Sequence, residues 1–298
     1  MAQENNISPD TDPNFSTPSF SLSSSSSTEH ASEPTWRPAR PPPPAAPMVT
    51  KSSPGLDLSN YPGGKKSLAG ISLRAFLIGT TLGISISLVL ILRCISSTPL
   101  WRLPFFLASL CLFHFLEYYV TAAYNTRSAS ISAFLLSSNG WAYNLAHISA
   151  AVECLLGYLF WPRESYFEWT GPIHGVKVQL VLGILLMVVG QTTRTLAMVQ
   201  AGSNFNHTVQ VERKEGHTLV THGVYAILRH PSYFGFFWWS LGTQLLLGNV
   251  VCFLGYLAVL WNFFNKRILR EERFLVAFFG EEYVGYRSRS SVGIPGIR

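Results

Sequence analysis

Charge is scarce in this chain. Asp, Glu, Lys and Arg make up 13% of its 298 residues, against 48% hydrophobic residues and a mean hydropathy of +0.23. Cysteine is scarcer still, with only Cys94, Cys111, Cys154 and Cys252, each standing alone in or beside an apolar run. Without a CxxC spacing, neither a zinc site nor a disulfide framework is indicated. No GxGxxG turn occurs, which excludes the glycine-rich dinucleotide-binding loop. The basic residues giving the net charge of +6 form no stripe with interleaved aromatics, so that charge reads as membrane topology rather than nucleic-acid binding. The N-terminus has no apolar core beside a basic segment, so no signal peptide is expected.

What the chain does have is grease and aromatic rings. Its 20 Phe, 12 Tyr and 8 Trp suit a surface that meets lipid and the headgroup boundary. Few of them lie in residues 1–66, which instead carry Ser23–Ser27, Pro41–Pro44 and many single Pro, Ser and Thr. Such a segment cannot bury enough apolar surface to offset its ordering entropy, and a disordered tail is predicted. Two further regions follow, 67–200 with four membrane helices and 201–298 with the chemistry.

The first span is read over Ala75–Leu92, 18 residues without a charge. The second is Leu103–Ala123, the third Trp141–Trp161 with tryptophans at its edges, and the fourth Val176–Leu196. His114 and Glu117 share a helix face, and His147 and Glu153 lie in the third span. Interhelical hydrogen bonding is the favoured role for these groups, ahead of lining a cavity. Gly183 and Gly190 read as close-packing positions. The run Tyr233–Asn265 would be about 50 Å long as one helix, too long for a bilayer core of about 30 Å. Gly248-Asn249 at its middle favours a turn, so a helical hairpin with arms of about 24 Å is expected. Arg229 precedes the run and Lys266, Arg267 and Arg270 follow it, which puts both ends on the cytosolic side with Lys65 and Lys66. The fold class is therefore all-α, a polytopic membrane protein with about six transmembrane helices including a C-terminal hairpin.

The polar residues gather at the two ends of that hairpin. HTLVTHGVYAILRHPSYFGFFWW, residues 217–239, sets three histidines and an arginine against the start of the apolar run. Ionisable groups at such a boundary are costly and mark a site. The three histidines lack the Cys or carboxylate spacing of a metal centre, and no metal is expected. Upstream, Thr208–Arg213 alternates apolar and polar residues before Lys214-Glu215-Gly216, which suggests a short extended pair. Beyond the hairpin, Arg267 and Glu271 are four apart on one helix face. Spacing alone allows a plain surface ion pair there, but a hairpin brings them near Arg229 and His230.

AGSNFNHTVQ (201–210), RHPSY-x-G from Arg229, and EE-x(6)-FGEEY from Glu271 together resemble the isoprenylcysteine carboxyl methyltransferase family. The likeness is dense over 201–289, looser over the earlier spans and absent from the tail. It implies a methyltransferase of the endoplasmic-reticulum membrane, with its cofactor pocket facing the cytosol. Such an enzyme uses S-adenosyl-L-methionine to methylate the C-terminal carboxylate of prenylated cysteine in small GTPases and other CaaX proteins. Carried over by position, the cofactor contacts fall on Gln210, His217, Thr218, Leu219, Val220, Tyr225, His230, Pro231, Ser232, Tyr233 and Glu271. Arg267 then faces the substrate, and Arg229 is the candidate for steering the carboxylate. Catalysis would rest on Arg229, Arg267 and Glu271. The partners implied are prenylated proteins and the bilayer, with no nucleic acid. An NADPH-dependent sterol reductase shares an RHP-like motif and an acidic helix after a hairpin, though such chains carry more spans. A non-catalytic scaffold would leave the polar loop unexplained.

Overall fold

The computed structural model describes residues 57–95, 98–160, 177–213 and 215–298. Of residues 1–66, predicted to be disordered, 1–56 lie outside the described residues, as do Trp161, Val176 and Lys214, whereas 57–66 form a short 3-10 turn at Leu58–Asn60 and hydrogen-bonded turns after it. Among the described residues seven α-helices follow one another: α1 (Leu68–Ile95), α2 (Arg102–Tyr124), α3 (Trp141–Phe160), α4 (Val178–Ala201), α5 (Pro231–Leu247), α6 (Val251–Phe279) and α7 (Glu281–Arg289). Among the described residues no β-strand forms. The expected extended pair at Thr208–Arg213 is therefore corrected. That segment is irregular and tied instead to α6, with the Arg213 guanidinium donating to the Phe278 carbonyl at 2.8 Å and lying 5.0 Å over the Phe279 ring.

Among the described residues three helical stretches are long and apolar enough to cross a membrane, Leu68–Ile95, Pro99–Tyr124 and Val178–Asn204. Their large apolar side chains face outward, as with Phe76 at 68% and Val188 at 58% exposed. Outward apolar faces of that extent are a lipid-facing surface rather than a soluble one.

The hairpin forms where Gly248-Asn249 predicts it. Gly248 takes the left-handed conformation (φ 79°) and its N–H closes α5 onto the Gln244 carbonyl, the usual glycine exit from a helix. The second arm differs from expectation. α6 runs 29 residues, about 43 Å, well past the apolar run, and so carries Arg267 and Glu271 on the same rigid rod. Its first turn is capped from another helix. Glu153 of α3 accepts from the backbone N–H groups of Val250, Val251 and Cys252 at 2.7–2.9 Å, satisfying donors that a helix start leaves unpaired.

α4 and α5 pack antiparallel through glycine. Gly183 faces Gly242 and Gly190 faces Gly235, so closely that a Cβ on Gly190 would lie 2.5 Å from the Gly235 carbonyl oxygen. The close-packing expectation for Gly183 and Gly190 holds. The C-terminal segment then folds back over the hairpin. Ser291 bridges to Leu228, and Val292, Ile294 and Ile297 join the core with Phe237 and Phe264. Trp261 Nε1–H donates to the Pro295 carbonyl at 2.8 Å and holds the segment there.

Candidate functional site

The site begins where α5 begins. Pro231 occupies the first turn, where its missing N–H costs nothing, and His230 takes the N-cap position. The backbone there turns from the loop into the hairpin and places His230, Pro231, Ser232 and Tyr233 on one wall. The loop before it hangs from α4. Asn204 accepts from Thr218 N–H at 3.0 Å, and Gln200 accepts from Val224 N–H at 2.8 Å. The opposite wall is α6, whose residues Glu271, Leu275 and Phe279 recur every four positions and so share one face.

Between these walls is a cavity open on one side, with about 710 Å³ of space free of protein atoms, part of it open solvent. His217, Thr218, Leu219, Val220, Tyr225, His230, Pro231, Ser232, Tyr233 and Glu271 all line it, with Arg229, Asn204 and Asn206. Two of the expected residues do not. Gln210 is half-buried in the loop preceding Arg213, outside the lining. Arg267 sits one turn before Glu271, at the edge of the cavity.

Arg267 and Glu271 are joined through a third residue. The Tyr233 hydroxyl donates to Glu271 Oε2 and accepts from Arg267 Nε at 2.8 Å, so one phenol fixes both side chains. Arg267 NH2 donates to the His207 carbonyl, and its guanidinium lies 5.2 Å over the Tyr233 ring. Arg267 NH1 makes no hydrogen bond among the described residues. Sequence spacing links positions 267 and 271 but carries no sign of this bridge, because Tyr233 reaches it from another helix.

Arg229 is otherwise engaged. Its Nε donates to Glu272 at 2.6 Å and its NH1 to the Ser290 carbonyl at 2.8 Å, while His230 Nε2 lies 3.2 Å from the same Glu272 oxygen. Burial pushes the Glu272 carboxyl up, but the hydrogen bonds from His230 and Arg229 outweigh it and hold the group down at about 2. This cluster clamps the loop, α6 and the C-terminal segment together behind the cavity. Burial raises the Tyr286 phenol to about 12, so it stays a hydroxyl and donates to the Tyr225 carbonyl at 2.7 Å.

A second buried cluster was legible only in part. Glu117 of α2 accepts twice from Arg194 of α4, and His207 Nε2 lies 2.9 Å from its Oε2. Arg194 NH1 continues to Ser232, donating to Oγ at 2.8 Å and to the carbonyl at 3.2 Å. The interhelical role expected for Glu117 is what the geometry shows, and Arg194 is the partner that sequence reasoning missed. His114 also bonds across elements, its Nδ1 lying 2.8 Å from the Phe134 carbonyl. Among the described residues no three His, Cys, Asp or Glu converge as metal ligands.

Comparison with known proteins agrees with this geometry. Residues 181–277 match the model of the isoprenylcysteine carboxyl methyltransferase family. The Saccharomyces cerevisiae protein-S-isoprenylcysteine O-methyltransferase is 41% identical over 242 residues, 81% of this chain and 97% of that protein. The Homo sapiens protein of the same name is 41% identical over 228 residues, 76% of this chain and 75% of that protein. A solved structure of a eukaryotic intramembrane Ras methyltransferase superposes with a TM-score of 0.68 at 34% identity, covering 76% of this chain and 77% of that one. On the full extent of these matches, the chain belongs to the isoprenylcysteine carboxyl methyltransferase family.

Proposed function

We propose that this protein methylates the C-terminal carboxylate of prenylated cysteine, with S-adenosyl-L-methionine as methyl donor. The observation that carries the reading is the single cavity in which the 217–220 loop, the RHPSY turn and Glu271 meet, with Arg267 at its edge. Its wall mixes aromatic faces with a few polar groups, the lining typical of small-molecule sites. The Glu271 carboxylate on that wall suits a cationic donor. When bound, that donor supplies a methyl group on a positively charged sulfur, open to attack by an oxygen nucleophile.

The chain's own residues then have modest chemical work. A C-terminal carboxylate has a pKa of roughly 3.5 and is already ionised at neutral pH, so no general base is required. What remains is orientation, bringing oxygen and methyl within about 3–3.5 Å in line and away from water. Arg267, with NH1 unengaged among the described residues and its other nitrogens held by Tyr233 and His207, is placed to meet the carboxylate. Tyr233 keeps Arg267 and Glu271 at a fixed spacing, so substrate and donor are registered by one hydroxyl. Arg229 lines the cavity, but its bonds to Glu272 and Ser290 favour a supporting role over a direct hold on the substrate.

The substrate joins two solvents, and the fold suits that. α1 to α6 would give six crossings, with the cavity at the cytosolic face beside Arg229, Lys266 and Arg270. The 17 residues of α5 span about 25 Å, enough to cross a bilayer core only barely. A prenyl chain would lie in the bilayer beside the hairpin, with its cysteine carboxylate at Arg267. Small GTPases and other CaaX-processed proteins in the endoplasmic-reticulum membrane are substrates of that kind.

Calorimetric titration of the purified protein tests the donor. Saturable S-adenosylmethionine binding, with no NADPH binding, is expected. NADPH binding without S-adenosylmethionine binding would overturn the reading in favour of a reductase.

A further inference from the structure

Glu117 and Arg194 lie outside the cavity, yet their hydrogen bonds lead to both of its working ends. Both are buried, at 1% and 7% exposure, and face each other through a two-pronged guanidinium–carboxylate contact between α2 and α4. Arg194 is further sandwiched near two rings, 5.4 Å from Phe113 and 5.6 Å from Phe236. A buried ion pair is weak evidence for stability, because desolvating two charges offsets most of their attraction. What such a pair provides well is a fixed geometry.

Two arms leave the pair. One runs from Arg194 NH1 to Ser232 Oγ and the Ser232 carbonyl, pinning the first turn of α5 on the cavity wall. The other runs from Glu117 Oε2 to His207 Nε2, and the His207 carbonyl in turn accepts from Arg267 NH2. A single carboxylate therefore reaches both the wall assigned to the donor and the arginine assigned to the substrate. These two parts lie on loops and helices far apart in sequence.

We infer that Glu117 and Arg194 are positioning residues for methyl transfer, holding the donor wall through Ser232 and the substrate arginine through His207. The inference rests on the methyltransferase reading of the cavity. Neither residue touches substrate or donor. Their effect is to fix the separation of Ser232 and Arg267, which sets how well the reacting atoms align.

The arms predict a split that a merely structural role would not give. Arg194→Lys keeps a cation facing Glu117 but loses the fork that reaches Ser232, so it should weaken S-adenosylmethionine binding roughly three- to tenfold and leave KM for acetyl-farnesylcysteine nearly unchanged. His207→Ala cuts the second arm, so KM for acetyl-farnesylcysteine should rise by a similar factor with donor Kd unchanged. Glu117→Gln, which keeps the shape but loses the charge, should move both. All constants are taken per folded molecule, counted by gel filtration. Should Glu117→Gln fail to fold, Arg194→Lys and His207→Ala still decide, since each keeps Glu117 charged beside a buried cation. The inference is overturned if the variants change thermal stability alone, or if Arg194→Lys and His207→Ala change the same constant. Absence of donor binding by the wild-type protein would instead overturn the methyltransferase reading itself.

Discussion

Replacing Gly190 by alanine should unseat α5. A Cβ at this position would lie 2.5 Å from the Gly235 carbonyl oxygen and 2.6 Å from the Trp239 backbone nitrogen, where ordinary contacts run from 3.4 to 4 Å. Both obstacles are backbone, so no rotamer change relieves them, and the helices must separate by roughly 1 Å. Overpacking of that kind costs about 1–3 kcal/mol. The same substitution at Gly255, also mid-helix, meets nothing within 4 Å and gains only the helix propensity of alanine, about 1 kcal/mol. Gly190→Ala should therefore melt on the order of 5 °C below Gly255→Ala in detergent. Its catalytic loss should be larger than its stability loss. Gly190 lies one turn from Arg194, which holds Ser232, and a displacement of about 1 Å near reacting groups can cost on the order of 100-fold in rate. Equal melting and equal turnover in the two variants would refute the claim that this glycine contact sets the position of the cavity wall.

Two further outcomes follow from the same geometry. Arg267→Ala and Glu271→Ala should each nearly abolish methylation with expression intact, measured as labelled methyl transfer per folded molecule, and turnover like wild type in either would reduce the pair to a surface contact. Glu272 is held at about 2 against its ordinary 4.5, so its contribution to stability is complete above pH 4.5 and is lost as pH falls toward 2. The melting gap between wild type and Glu272→Gln should thus be constant from pH 7 to 5 and narrow below 4.5, and a gap independent of pH would show that the Arg229–Glu272 clamp adds nothing.

The features that the sequence made legible are those set by local chemistry. The turn at Gly248-Asn249 follows from the one residue type that takes a left-handed backbone without strain. The close approach at Gly183 and Gly190 follows from small residues in an apolar helix. The carried-over residues of the 217–233 segment share one cavity with Glu271 because a hairpin must return its ends to one side. Features set by distant partners were not legible. Glu153 reads as an intramembrane acid until α6 starts at its carboxylate, 97 residues later. Arg194 sits unremarked within an apolar run until Glu117 faces it. The alternation at Thr208–Arg213 suggests a strand, but an extended segment needs a neighbour to pair with, and Arg213 ties this one to α6 instead. Nor does the apolar run reveal that α6 continues to Phe279 and makes Arg267, Glu271 and Leu275 one rigid face.

Methyl transfer itself tests the central claim most directly. Purified protein in lipid, given S-adenosylmethionine labelled in its methyl group and acetyl-farnesylcysteine, should form a product whose label is released as methanol by base, as a carboxyl methyl ester requires. Acetylcysteine without the prenyl chain should be a poor acceptor. No base-labile product from folded, donor-binding protein would contradict the account, as would equal labelling of the unprenylated acceptor.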